Sequence, residues 1–345
     1  MKKPASHQRL EFLDALRGIA VLVVFSFHCV TAAFHTGIFN HIFGEAGVAI
    51  FFAISGFCIH LSFCRRSDWS VFWLRRFFRL YPAYFLAVIL FSAGPMKDTW
   101  QISTHLLLIH NLFAKTMYGL NSDFWSIAVE LQLYAAYPLL LLLARNIGWR
   151  TTVWAIGILE FSLRLGVGVL TTVIGIQVPV WLIGMPFFYW LSWSVGAMVA
   201  ESYVKKEESP FVRCSALLFV FVGIASAFVI DTLCFTFYAI AAAVVIAKAI
   251  RSPVKYLPAL SAHLGRTGLW SYSFYLIHHP IIGLTVVALK SFELSPWLTF
   301  PVYLALYPLI LGIAGGLYAL VERPGMAIGT LILRKPASAL PAFAE

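Results

Sequence analysis

Long apolar stretches alternate along this chain with short polar connections that are often basic. Ten of these stretches approach the length of about 20 residues that a helix needs to cross a membrane. They cover residues 13–33, 43–63, 74–94, 124–144, 152–170, 180–202, 212–231, 232–250, 268–289 and 298–321. The pattern predicts an all-α, polytopic membrane protein with about ten transmembrane helices.

The composition supports this class of protein. Of 345 residues, 61% are hydrophobic and 12% are charged, whereas a soluble domain carries about 25% charged residues. The apolar stretches occupy so much of the chain that a second folded domain has no room. We therefore expect a single transmembrane domain over residues 1–345 and no soluble extracytoplasmic domain.

The formal net charge is +10, and the basic residues lie in the connections between spans rather than in a separate basic domain. Most lysines and arginines lie before residue 18 and in 64–79, 145–150, 205–213, 248–266 and 323–335. With ten spans these six regions fall on one side of the membrane, and the positive-inside rule places them and both termini in the cytoplasm. Because each region adjoins a span, we expect membrane lipids as partners and no nucleic acid.

The first span carries two ionisable side chains, Arg17 and His28. Such groups are costly inside a membrane and usually mark a pathway or a reaction site. The two positions are eleven residues apart, which makes three turns plus roughly 20°, so both side chains lie on one face, about 16 Å apart along the axis. This spacing suits a long ligand that is held by its charged end at Arg17 and presents its other end to His28.

Glu130 in the fourth span is predicted to lie at nearly the same membrane depth as His28. His28 is about 15 residues from the inner end of its span, hence roughly 22 Å deep, and Glu130 is about six residues from the outer end of its own span. A carboxylate that orients an imidazole is typical of a general base. We predict that His28 and Glu130 are the catalytic pair, and a satisfied structural pair is the alternative.

Three further side chains are candidates for substrate binding. His278 in the ninth span either reaches the same cavity or satisfies carbonyls freed by Pro280. Arg76 and Arg79 belong to an aromatic, arginine-rich segment that either anchors the chain in lipid headgroups or binds phosphates, because guanidinium groups match phosphate geometry. Neither the histidines nor the five cysteines show the spacing of metal ligands, so no metal site is predicted.

Two other acidic residues are given structural roles. Asp123 precedes the fourth span, where a negative side chain can cap the helix and suits its dipole. Glu160 and Arg164 are four residues apart in the fifth span, and this spacing predicts a structural ion pair along one helix.

Six motifs complete the pattern. They are R-x10-H at Arg17 and His28 within LDALRGIAVL, GVAIFFAISGF at Gly47–Phe57, R-x-x-R-x-x-P at Arg76, Arg79 and Pro82, FWSIAVELQLYAAYP around Glu130, SYSFYLIHHP around His278, and Glu322-Arg323-Pro324. With these motifs in this order, the sequence resembles the acyltransferase-3 family of integral membrane acyltransferases nearly end to end. Each motif alone is weak, and the six in order are strong.

The resemblance implies ten membrane helices and transfer of an acyl group, most often acetyl, from cytoplasmic acyl-CoA. The implied acceptor is a hydroxyl of a carbohydrate at the outer face of the bacterial inner membrane, such as a lipopolysaccharide or exopolysaccharide sugar. Some relatives modify small molecules, including macrolides. The resemblance also implies that Arg17 and His28 are essential and that Arg76 and Arg79 act on the coenzyme. We expect no C-terminal hydrolase-like domain, which weakens a peptidoglycan acceptor.

We therefore expect an O-acetyltransferase with acetyl-CoA as acyl donor and co-substrate. Its phosphates dock at Arg76 and Arg79, with Arg17 at the mouth, and its thioester reaches His28, which takes the proton of a carbohydrate or glycolipid hydroxyl. A transient acyl-imidazole on His28 is the variant. An acyltransferase for a small-molecule or antibiotic acceptor is the alternative, followed by a transporter and a non-catalytic envelope protein.

Overall fold

The computed structural model describes residues 11–35, 43–93, 98–251 and 258–334. All regular elements in this part of the chain are helical, which confirms the all-α prediction. The helices are α1 (Glu11–Phe34), α2 (Glu45–Arg65), α3 (Trp69–Ser92), α4 (Thr99–Leu106), α5 (Phe124–Ile147), α6 (Trp149–Gly168), α7 (Val180–Ile183), α8 (Trp190–Lys205), α9 (Ala216–Ala227), α10 (Cys234–Arg251), α11 (Pro258–Leu269), α12 (Ser271–Leu289), α13 (Pro296–Ala305), α14 (Tyr307–Leu317) and α15 (Arg323–Arg334).

Seven segments within the described residues are long and apolar enough to cross a membrane. They are Glu11–Phe34, Glu45–Arg65, Phe124–Ile147, Trp149–Val173, Asp231–Arg251, Ser271–Phe292 and Pro296–Leu333. The chain is therefore a multi-pass membrane protein. The other predicted spans correspond to α3, which carries three arginines, and to α8 and α9, which have 16 and 12 residues. The count of about ten and the cytoplasmic side of the termini stay predictions, and residues 1–10 and 335–345 lie outside the described residues.

Several helices begin where a short polar side chain accepts a hydrogen bond from a backbone amide that has no partner within the helix. Asp68 accepts a hydrogen bond from the Val71 amide at the start of α3, and Asp98 accepts one from the Gln101 amide at the start of α4. Between α5 and α6, Gly148 has a φ of 82°, which glycine adopts without steric cost. One residue therefore suffices to separate these two helices.

Helices α2 and α8 touch through their backbones at the centre of the protein. A Cβ atom on Gly56 of α2 would lie 1.9 Å from the carbonyl oxygen of Trp193, and one on Gly196 of α8 would lie 1.9 Å from that of Ala53. Glycine at both positions is what allows this close approach. The two helices consequently bring side chains near their ends into direct contact.

A proline inside α12 creates the contact that holds the start of α5 in place. Pro280 has no amide hydrogen, so it leaves the carbonyl of Leu276 one turn earlier without its helical partner. The side-chain amide of Asn121, which lies just before α5, donates to this carbonyl at 3.1 Å. The residues that lead into α5 are thereby held against the middle of α12.

Candidate functional site

A carboxylate surrounded by three imidazoles lies where α1, α12 and the start of α5 meet. His28 of α1 places Nε2 3.2 Å from Oδ1 of Asp123. In α12, His278 places Nε2 3.3 Å from Oδ2, and His279 places Nδ1 3.2 Å from Oδ1 of the same carboxylate. Asp123 and His278 are buried, whereas His28 and His279 are partly exposed. We call these four residues the histidine–aspartate cluster.

The hydrogen bond of His278 to Tyr275 fixes which of its ring nitrogens carries the proton. Its Nδ1 lies 2.9 Å from the carbonyl oxygen of Tyr275 and must donate to it, because a carbonyl only accepts. The contact between its Nε2 and Oδ2 of Asp123 is then favourable only when a proton lies between the two atoms. Both atoms are buried, and neither has a hydrogen bond to another described group. The cluster can therefore hold a proton and pass it on.

Of the two alternatives for His278, the structure supports the one that places it in the site. The histidine does bind a carbonyl near the proline, but this is the carbonyl of Tyr275, since Asn121 takes the one that Pro280 frees. Its other ring nitrogen faces Asp123 in the cluster. His278 therefore belongs to the site, and Asn121 satisfies the carbonyl that Pro280 frees.

His279 supports the ring of His28. The two imidazoles stack with centroids 4.3 Å apart and planes 24° apart. Nδ1 of His279 also lies 2.6 Å from the hydroxyl of Ser122. Because His28 directs Nε2 toward Asp123, Nδ1 of its ring is the nitrogen that can take up a proton from a substrate.

The predicted contact between His28 and Glu130 is wrong, because Asp123 occupies the partner position. Glu130 lies seven residues, or about 10 Å, further along α5. Its carboxylate accepts hydrogen bonds from Ser55 at 2.6 Å and from Tyr134 at 2.5 Å. Equal depth in two spans does not bring side chains together, since the meeting point depends on how the helices tilt and cross.

Asp123 and His279 are the members of the cluster that the sequence analysis does not identify. The prediction that Asp123 caps α5 is right about its position, because Asp123 is the N-cap residue, but its side chain makes no cap hydrogen bond. The sequence holds a signal for both residues. Asp123 is the sole acidic residue between Asp98 and Glu130, and His279 directly follows His278.

Two adjoining cavities lead from an arginine-rich end of the protein toward the cluster. The wider cavity, which we call the vestibule, has a volume of about 720 Å³. Its lining includes the arginines Arg17, Arg65, Arg66, Arg75 and Arg79. The narrower one, the inner cavity, has a volume of about 100 Å³. The two share the lining residues Arg17, Cys58, Arg79, Ser271 and Tyr272.

All three arginines that are predicted to bind substrate line the inner cavity. Arg17 stands at the junction with the vestibule, where it donates to Asp14 at 3.0 Å and to the sulfur of Cys58 at 3.1 Å. Arg79 is exposed to the vestibule. Arg76 is buried, and its Nε has no hydrogen bond to a described group. The structure thus brings together the arginines and Glu130, which lines the same cavity.

A pair of hydroxyl groups separates the inner cavity from the cluster. Ser126 and Tyr275 line the cavity and lie 2.8 Å apart. The two hydroxyls are also 3.0 and 3.2 Å from the carbonyl oxygen of Asp123. Behind them, the ring of Tyr275 packs 5.5 Å from that of His278. One layer of side chains therefore stands between the cavity and the histidines.

Another pair of histidines, His105 and His110, shows how burial affects an imidazole outside the cluster. Their rings stack 3.9 Å apart outside the apolar spans. Burial, together with the neighbouring His105, lowers the pKa of His110 to about 3, so its imidazole is neutral at physiological pH. In the cluster, Asp123 places a carboxylate within 3.3 Å of all three imidazoles.

Two groups of described side chains could hold a metal ion, each with ligand atoms within 4.8 Å of one another. The groups are His28 with Asp123 and His278, and His60 with Cys64 and Glu201. The expectation of no metal site rests on spacing along the chain. Both groups combine residues from different helices, which spacing cannot detect.

Comparisons with known proteins indicate an acyltransferase. A family model described as an acyltransferase domain matches residues 10–319. Acyltransferase MdmB of Streptomyces mycarofaciens is 28% identical in an alignment that covers 96% of this chain and 95% of that protein. Peptidoglycan O-acetyltransferase OatA of Listeria monocytogenes is 28% identical over 41% of this chain and 26% of its own length. Nodulation protein 10 of Rhizobium leguminosarum bv. viciae is 27% identical over 31% of this chain and 35% of its own. No solved structure matches the chain.

Proposed function

The chain belongs to the acyltransferase-3 family of integral membrane acyltransferases, and on this premise we propose that it moves an acetyl or other short acyl group from acyl-CoA to a hydroxyl of a cell-surface carbohydrate or its lipid-linked precursor. The proposed location is the bacterial inner membrane, with the vestibule on the cytoplasmic side. The observation that carries the proposal is the pair of adjoining cavities, because they lead from five arginines to the residues that border the histidine–aspartate cluster.

The vestibule suits the charged part of the donor. Coenzyme A carries phosphate groups at one end of a long pantetheine arm and the thioester at the other. Guanidinium groups bind phosphates through paired, charge-assisted hydrogen bonds, and Arg75 and Arg79 line the vestibule together with Arg65 and Arg66. The narrower inner cavity then receives the arm, with Arg17 at its entrance.

The inner cavity gives Glu130 a different role from the one predicted for it. Its carboxylate is held by Ser55 and Tyr134 and shares the cavity with Arg76 and Arg79. It balances their charge and offers acceptors to the amide groups of the pantetheine arm. We therefore assign Glu130 to binding of the donor and Asp123 to catalysis.

The thioester meets the acceptor at His28. Nδ1 of His28 takes the hydroxyl proton as the oxygen attacks the thioester carbonyl, so that a C–O bond forms and the C–S bond breaks. The proton then returns from His28 to the leaving thiolate of coenzyme A. Asp123 holds the ring through Nε2 and balances the positive charge of the imidazolium, as a carboxylate does in a catalytic triad.

The Ser126–Tyr275 pair has to open before this step. In the structure both side chains line the inner cavity, and their hydroxyls donate to the carbonyl oxygen of Asp123. Rotation of the Tyr275 side chain joins the cavity to the cluster, and its return separates the thioester from water at the opposite face. We propose that the acceptor approaches the cluster from that opposite face, on the partly exposed side of His28 and His279.

A covalent variant uses the same atoms. His28 attacks the thioester, carries the acyl group as an acyl-imidazole, and releases it to the hydroxyl in a second step. Incubation of the purified protein with labelled acetyl-CoA and no acceptor, followed by rapid quenching and mass spectrometry, separates the two routes. An acetyl mass on the peptide that contains His28 supports the relay, and an unmodified peptide supports direct transfer.

The decisive experiment combines the donor and the product. Detergent-purified protein should release coenzyme A from acetyl-CoA when acceptor is present, and glycans from cells that carry the chain should show an acetyl mass that His28→Ala removes. His263→Ala is the matched control, because His263 bonds to Tyr307 away from the cavities. Membranes that transport a sugar or a drug and never consume the donor would establish the transporter alternative.

A diffusible small molecule with a hydroxyl group, such as an antibiotic, is the second candidate acceptor. The peptidoglycan O-acetyltransferase OatA matches this chain over 26% of its own length. Acyltransferase MdmB, in contrast, aligns over 95% of its length. Acetyl masses in culture medium rather than on surface glycans would identify this acceptor class.

A further inference from the structure

Away from the catalytic cluster, three side chains with metal-binding atoms converge where α2 and α8 end. Nε2 of His60 lies 2.9 Å from Oε2 of Glu201 and 3.4 Å from the sulfur of Cys64. His60 and Cys64 are four residues apart and share one face of α2. Glu201 comes from α8, which the glycine contact holds against α2. A direct backbone contact thus places the carboxylate opposite the imidazole and the thiol.

Two of the three separations between ligand atoms are close to those of a tetrahedral site, and the third is within 4.8 Å. Zinc binds nitrogen and oxygen at about 2.0–2.2 Å and sulfur at about 2.3 Å, which sets ligand–ligand separations of roughly 3.3–3.7 Å in tetrahedral geometry. The separations of 2.9 and 3.4 Å around Nε2 of His60 need to expand by only a few tenths of an ångström. Oε2 of Glu201 and the sulfur of Cys64 both lie beside Nε2 of His60, as expected of atoms that bind one ion.

The surroundings of the three side chains also suit a metal ion. The hydroxyl of Tyr137 lies 2.8 Å from Nδ1 of His60, the position from which outer partners orient a metal-binding imidazole. Lys205 binds Oε1 of Glu201 at 3.0 Å, which leaves Oε2 for the ion. His60 is buried, while the side chain of Glu201 keeps 17% of its surface exposed, so an ion can enter from water.

We propose that His60, Cys64 and Glu201 form a zinc site with a water molecule in the fourth position. The mixed nitrogen, sulfur and oxygen set favours zinc over magnesium or calcium, which prefer oxygen alone. The thiol of Cys64 gives its proton to water when the ion binds. On the proposed orientation the site faces the cytoplasm, where thiols stay reduced.

The site would join the last turn of α2 to α8. Arg65 and Arg66 directly follow Cys64 and line the vestibule. If the chain binds acyl-CoA there, as proposed above, removal of zinc should raise the KM for the donor more than it lowers kcat. This consequence rests on the proposed function, whereas zinc binding itself does not.

Metal content and spectroscopy test the proposal on the full-length protein in detergent. After chelation and dialysis against Zn²⁺, we expect one zinc per chain by elemental mass spectrometry. The same protein loaded with Co²⁺ should show a thiolate-to-cobalt charge-transfer band in the near ultraviolet. Cys64→Ala should abolish this band, and Tyr137→Phe should weaken zinc binding about tenfold. Cys214→Ala, a cysteine in the connection after α8, should change neither.

Three outcomes would overturn the proposal. Wild-type protein that retains no zinc above the Cys64→Ala level excludes the site. A cobalt spectrum without a sulfur band excludes Cys64 as a ligand, and this measurement needs no variant to fold. Zinc that is lost in His28→Ala and retained in Cys64→Ala assigns the metal to the histidine–aspartate cluster instead.

Discussion

Two buried ionic groups inside the apolar spans differ in how completely their polar atoms are paired. Glu160 and Arg164 of α6 form the predicted ion pair at 3.2 Å, with exposures of 0% and 2%. Arg164 also donates to the carbonyls of Thr232 and Phe188, and Glu160 accepts from the Leu191 amide at 2.8 Å. In the histidine–aspartate cluster, Oδ2 of Asp123 and Nε2 of His278 have only each other as polar neighbours among the residues that the structure describes.

Burial of charge therefore does not by itself mark a reaction site in this protein. The pair in α6 has partners on every side, so a proton or substrate would have to break existing hydrogen bonds to enter. In the histidine–aspartate cluster, Nδ1 of His28 can exchange a proton, and the inner cavity lies close by. Incomplete pairing is costly, and a protein that keeps it at one place has a use for it there.

The largest effect is expected at the cluster. His28→Ala should reduce acyl transfer by about 10⁴-fold, because it removes the group that takes the proton. The melting temperature should change little, since His28 is partly exposed. Acetyl-CoA turnover and thermal unfolding of the detergent-purified variant measure the two quantities. Activity within tenfold of the wild type would place the chemistry elsewhere.

Arg164→Ala should show the opposite behaviour. Removal of one partner leaves a buried, uncompensated carboxylate, which costs about 3–5 kcal/mol of stability. We expect a large drop in melting temperature and in yield, with activity per folded molecule close to that of the wild type. A stable Arg164→Ala protein without activity would show that the α6 pair takes part in the reaction.

The two carboxylates of α5 can be separated in the same way. Asp123→Asn should lower kcat about 100-fold, because the amide cannot balance an imidazolium and favours the wrong tautomer of His28. Glu130→Gln should mainly raise the KM for acetyl-CoA. Steady-state kinetics on both variants decide between the roles, and the reverse pattern would restore the catalytic assignment of Glu130.

The smallest effect concerns the barrier between cavity and cluster. Tyr275→Phe removes a hydroxyl hydrogen bond worth about 1 kcal/mol, so opening should become about fivefold easier. We expect kcat to rise by up to this factor if opening limits the rate, and the melting temperature to fall slightly. Ser126→Ala is the companion variant. A loss of activity as large as in Asp123→Asn would make the tyrosine hydroxyl part of the chemistry.

The helical class, the membrane setting, and His28 and His278 of the histidine–aspartate cluster could be predicted from the sequence alone. Apolar length and charge depend on composition, and the spacing of Arg17 and His28 depends on the geometry of a single helix. The Glu160–Arg164 pair was predictable for the same reason, because both residues lie on one helix. The family motifs then supplied the reaction class.

The contacts between residues of different helices depend on the tertiary structure. The choice of Asp123 over Glu130 depends on the Asn121 contact that anchors the start of α5 to α12. The convergence of Cys64 and Glu201 depends on the glycine contact between α2 and α8. Periodicity along one helix carries no information about its neighbours, because tilt, crossing point and kinks arise from packing between helices. Contacts between spans therefore came only from the folded protein.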